Sequence, residues 1–179
     1  GSDPYLQYII PISRLKPLLW LLVINTIIMP LLAFFYLKSR GIITSLFLEK
    51  NEERKIAIII LFLFHLVTYI LWRKLELPTS FLSLFFGILV SSILAYFLSG
   101  YIKISLHTMA FGGVVGAILG LYRAHGFIDY PILATTILGL GIIASSRLIL
   151  QAHSPREINL GALFGFIILY ITAGFNLFI

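Results

Sequence analysis

The sequence predicts an all-α integral membrane protein folded as a six-transmembrane-helix bundle, and two observations carry that reading. Hydrophobic residues make up 60% of the 179-residue chain and charged residues only 11%, against roughly 25% charged in a water-soluble domain. The apolar residues also fall in runs of about 20, the length needed to cross a hydrocarbon core of roughly 30 Å. Such runs occupy 17–37, 56–72, 80–100, 104–122, 131–150 and 159–179. The connections are short, so the chain reads as a single membrane domain over 1–179.

Each run has its own marks. The first carries Trp20 near its start and no small-residue cleavage site, so it is expected to stay in the mature protein; Gly1 and Ser2 read as added residues. The connection that follows, "KSRGIITSLFLEKNEERK", is the longest and the only one of mixed charge, and is expected to include a short helix along the interface. The second run ends at Trp72, the third just before Tyr101, and the fourth at Tyr122; with Trp20 these aromatics are expected at the headgroup level. His65, in the middle of the second run, reads as an interhelical hydrogen-bonding group. Gly112, Gly116 and Gly120 recur every four residues in the fourth run, and Gly161 and Gly165 open the sixth, a spacing that lets helix backbones approach closely. "YRAHGFID", with Arg123, His125 and Asp129, reads as a solvated turn. Between the fifth and sixth runs, "SPRE" has the form of a capping box: Ser154 as N-cap, Pro155 at the first helical position and Glu157 three after the cap.

Six spans put both termini on one side of the membrane and the loops after spans one, three and five on the other. Leaving Lys103, Arg147 and Arg156 aside, Lys and Arg number five on each side, so charge fixes no orientation. The net charge of +6 is spread over span ends and forms no nucleic-acid patch; the partners expected are the bilayer and its anionic lipids. The absence of cysteine excludes disulfides, thiolate metal sites and a cysteine nucleophile.

The odd-loop face gathers the chemistry. Arg147 ends span five, His153 and Glu157 bracket the start of span six, and "KISLH" brings Lys103, Ser105 and His107 to the mouth of span four. With one carboxylate in the set, a magnesium site is not expected, nor any other metal or cofactor. Cations beside imidazoles suit a phosphate. Arginine grips two phosphate oxygens and lysine adds a point charge. One imidazole can attack phosphorus and a second can protonate the leaving oxygen, while the carboxylate holds the attacking ring in its useful tautomer.

The spacing S-R-x5-H-x3-E, followed by Gly161, resembles the third signature of the type 2 phosphatidic acid phosphatase family, S-R-x5-H-x3-D, and "ISLH" resembles its second, P-S-G-H. Members of that family are six-span, metal-independent lipid phosphatases working through a phosphohistidine. The resemblance implies His153 as nucleophile, His107 as general acid, and Arg147 and Ser105 as phosphate ligands. It also implies that Glu157, one methylene longer than the usual aspartate, orients His153. The first signature, K-x6-R-P, is not found, and Lys103 is expected to supply one of its charges. The implied function is hydrolysis of a membrane lipid phosphate or diphosphate, on the non-cytoplasmic face of a bacterial inner membrane. Headgroup binding without hydrolysis, and transfer of the phosphoryl group to an alcohol, use the same residues.

Overall fold

The structure, a computed structural model, describes residues 12–44 and 50–177. Among these no strand occurs, and the helices are α1 (Ile12–Val23), α2 (Met29–Ser39), α3 (Asn51–Lys74), α4 (Thr79–Leu98), α5 (Leu106–His125), α6 (Tyr130–Ile149) and α7 (Pro155–Gly174). A π-helical turn, Ile24–Ile28, joins α1 to α2, making one rod whose stretch Lys16–Ser39 is long and apolar enough to cross a membrane. α3, α4, α6 and α7 also qualify, five segments in all, so the architecture is all-α and multi-pass. α5 is as long as α4 but is diluted by four glycines and by His107, Arg123 and His125.

The centre of the bundle is the pair α5–α7. Both helices begin at the same end, so they run parallel, with α6 returning outside them. Gly112 lies against Ala162, Gly116 against Phe166 and Gly120 against Tyr170, in each case on the partner's backbone. Gly165 presses in the same way on the Met109 carbonyl. Every one of the first three contacts links residues 50 apart, the separation that also relates Thr108 to Ile158 and Lys103 to His153. Small residues at this spacing allow the dispersion contact that replaces the hydrophobic drive within lipid.

α3 and α4 form an antiparallel hairpin around Tyr69, Trp72, Leu82, Phe85 and Leu89. Trp72, expected at the headgroup level, is instead a core residue: it is 6% exposed, with its ring edge-on to Phe81 and Phe85 at 5.8 and 4.6 Å. The α3–α4 turn brings Phe81 back onto it, and so the indole is covered. Trp20, Tyr101 and Tyr122 are exposed. The first rod packs Leu21 and Leu22 on that cluster and adds polar contacts: the Asn25 amide donates to the Phe64 carbonyl (2.9 Å) and to the Thr68 hydroxyl. α6 buries no residue at all.

Helix ends differ from the apolar runs where polar residues continue a helix. α3 starts at Asn51 rather than at 56, because Glu52 and Glu53 favour a first turn. α7 starts at Pro155, where Ser154 and Glu157 complete the capping box. α5 begins at Leu106, with Ser105 as its N-cap. The interfacial helix expected within 38–55 falls partly on 45–49, outside the described residues; 51–55 belong to α3. Glu53 accepts from the Thr44 amide (3.1 Å) and hydroxyl (2.8 Å), tying Thr44 to α3.

Gly116→Ala drives a methyl into the Phe166 carbonyl and is expected to cost about 1–3 kcal/mol. Gly141→Ala, where nothing lies within 4 Å, is expected to be neutral or stabilising by helix propensity. Thermal unfolding of both variants in detergent measures the difference.

Candidate functional site

The parallel pair delivers the N-termini of α5 and α7 to one end of the bundle, and backbone contacts weld them together. The Ser105 amide donates to the Glu157 carbonyl at 3.3 Å, and the Thr108 hydroxyl to the Ile158 carbonyl at 3.0 Å. Gly161 is required at this joint, because a Cβ there would lie 2.6 Å from the Ser105 carbonyl and 2.7 Å from the Thr108 hydroxyl. "ISLH" and "SPRE", remote in sequence, are thereby held side by side.

His153 sits at the joint, on the turn entering α7. Its Nδ1 lies 2.9 Å from the Lys103 carbonyl and 3.3 Å from Glu157 Oε2. A carbonyl can only accept, so Nδ1 carries the hydrogen, and Nε2 keeps its lone pair in the neutral ring. Glu157 does two jobs with one oxygen: Oε2 also accepts from the Ser154 amide at 3.0 Å, closing the capping box. The carboxylate is therefore held by the helix end and holds the imidazole in turn. Burial pushes the His153 pKa below its usual value, although the Lys103 carbonyl and Glu157 pull it upward and the Arg54 charge pulls it further down.

His107 lies in the first turn of α5, exposed, and within electrostatic reach of Arg147 and His153. Arg147, at the C-terminal end of α6, is half-buried, and its Nε has no hydrogen-bond partner among the described residues. The Lys103 carbonyl fixes His153, and Lys103 also lines an open cleft of about 440 Å³ with Asn51, Ser99, Ser154, Arg156 and Glu157. Ser105 stands apart from the rest: it is fully buried, and its hydroxyl accepts from the Thr108 amide (3.4 Å) as the α5 N-cap. Its contribution is to the helix start that carries His107.

Arg54 is the group that the sequence reading missed. It is 4% exposed, donates through Nη2 to the Ile104 carbonyl, and its Nη1 has no hydrogen-bond partner among the described residues. It is close enough to Glu157 and His153 for each to feel its charge. The signal was present in "NEERK": an acidic first turn extends α3 beyond the apolar run, and Arg54 then lies inside a helix on the same face as Lys103. Among the described residues no group of three or more His, Cys, Asp and Glu could hold a metal ion.

"YRAHGFID" lies at the other end of the bundle. His125 Nε2 is 2.9 Å from the Ser80 hydroxyl, Asp129 caps α6 through the Ile132 amide at 2.9 Å, and Arg123 covers the Phe175 ring at 4.4 Å. His65 packs near Phe85, at 6.3 Å between ring centroids, in the middle of α3. No protein-family model matches the chain, and no curated protein or solved structure matches it.

Two substitutions are expected to move the His153 titration in opposite directions. Glu157→Gln removes an acceptor and a negative charge that favour the imidazolium, so the pKa falls further; Arg54→Gln removes a repelling cation, so it rises. Imidazole resonances of the full chain in detergent, followed against pH, measure both shifts.

Proposed function

We propose that the protein is a metal-independent phosphatase that removes phosphate from a membrane lipid through a phosphohistidine at His153. The observation that carries this reading is the hydrogen-bonded chain Ser154 amide–Glu157–His153, which pins Nδ1–H and leaves Nε2 as a nucleophile. The resemblance of residues 146–161 and 104–107 to the type 2 phosphatidic acid phosphatase signatures supports it. We further propose that α5 crosses the membrane with the other five segments, giving six spans. The site end then faces out of the cytoplasm of a bacterial inner membrane, as the resemblance implies.

In this reading His153 Nε2 attacks phosphorus as the bond to the lipid oxygen breaks, and His107 gives that oxygen its proton. The lipid alcohol leaves and the phosphoryl group stays on nitrogen. Water then attacks, His107 takes the proton, the N–P bond breaks, and inorganic phosphate is released. Charge that builds on the equatorial oxygens is met by Arg147 and by Arg54, each of which has an N–H without a partner among the described residues. The two helix N-termini add their partial positive charge. Glu157 is the positioning residue for His153. Ser105 supports the helix start instead of touching phosphate, and Lys103 contributes its carbonyl to the nucleophile and its ammonium to the cleft.

The test is phosphate release from phosphatidic acid and from a polyprenyl diphosphate in detergent, with chelator present. Wild type is expected to turn over, and His153→Ala to lose about 10³-fold or more. His107→Ala is expected to lose about 10²–10⁴-fold. A quench in base traps the phosphohistidine, and its absence during turnover overturns the mechanism. Activity is expected to fall with acid only below about pH 6.5, the ordinary histidine value, because His153 must be neutral and its pKa is lowered. If intact protein releases no phosphate but retains lipid phosphate, the headgroup-binding reading replaces this one.

A further inference from the structure

We propose that the seam between α3 and α4 seats the substrate lipid lengthwise, its anionic head in the cleft at the site end and one hydrocarbon chain in the groove below. This rests on the lipid-phosphate reading of the site. Two cavities lie along the seam. The first is the cleft of about 440 Å³, with Asn51 at the start of α3 and Ser99 at the end of α4, bordered by Lys103, Arg156 and Glu157. The second, of about 170 Å³, is lined by Ile58 and Phe62 from α3 and by Ser92, Ile93, Tyr96 and Phe97 from α4, among others.

Helical spacing makes these two cavities the ends of one track. Asn51, Lys55, Ile58 and Phe62 follow each other at steps of four, three and four residues, one stripe of α3. Ser92, Tyr96 and Ser99 do the same on α4, so the residues that line the groove and the cleft share a face of each helix. Lys55 lies on the stripe between them, its ammonium 3.7 Å from the exposed Glu52 carboxylate. The track is thus cationic and polar at the top and apolar below, the order of groups in an anionic lipid. From Asn51 to Phe62 the helix rises about 16 Å at 1.5 Å per residue, close to half of a hydrocarbon core of about 30 Å. The chain of a lipid seated there stays within its own leaflet. The anionic head is met in the cleft by Lys103 and Arg156, and the cleft ends beside Glu157, the carboxylate that holds His153.

The test uses the full chain in phosphatidylcholine vesicles and, as probe, phosphatidic acid with a diazirine midway along one acyl chain. Adducts are expected on residues 58–62 and 92–97, reduced about tenfold by excess unlabelled phosphatidic acid and not by diacylglycerol or inorganic phosphate. Adducts spread over the exposed faces of α2 and α6 overturn the proposal. Ser92→Phe and Ile93→Trp, which fill the groove, are expected to raise KM for a long-chain phosphate about tenfold while sparing a short-chain, water-soluble one. An unchanged long-chain KM in both variants also overturns it. Labelling does not need turnover: adducts on the seam without phosphate release sink the phosphatase reading alone, and turnover with adducts elsewhere sinks the seam alone.

Discussion

The contact of backbone on backbone between α5 and α7 is the constraint from which the rest follows. Gly112, Gly116 and Gly165 leave no room for a side chain against the facing carbonyls, and the contacts of Gly112, Gly116 and Gly120 keep a separation of 50 residues. A parallel pair in a fixed register must bring its two N-termini level. Lys103 is then level with His153, and Thr108 with Ile158, at that same separation. His153 lies on the turn before α7, and the register of the two helices fixes the Lys103 carbonyl and the Glu157 carboxylate that hold its ring, which is how a site gains geometric precision.

Around that joint the electrostatics are unbalanced in a way that favours an anion. Among the described residues, Arg54 is buried with an N–H that has no partner, and Arg147 holds a second one. Glu157, the carboxylate within reach of Arg54, is already engaged by His153 and by the Ser154 amide. Burial disfavours the charged form of His153. The Arg54 charge acts on His153 and the Arg147 charge on His107, so positive charge gathers at this end of the bundle.

The sequence made part of this legible. Apolar runs of membrane length and glycines spaced by four could be read directly, and the cap in "SPRE" was readable because it depends on local residues alone. Trp72 was not, because a belt tryptophan and a core tryptophan look alike at a span end; only the packing of Phe81 and Phe85 separates them. Arg54 was read as a loop cation, because hydropathy marks where lipid begins and not where a helix begins. Ser105 shows the reverse difficulty: a hydroxyl in a motif is visible in sequence, but the direction it faces is set by the helix that it caps.

The central claim is that His107 and His153 share one anion at the joined helix ends. The chain has four histidines, so ¹⁵N-histidine labelling gives a spectrum in which His65 and His125 serve as internal references. Titration with vanadate is predicted to shift the His107 and His153 resonances together, along one binding curve, and to leave the other two in place. Separate curves for the two rings, or movement of only one of them, would contradict the account.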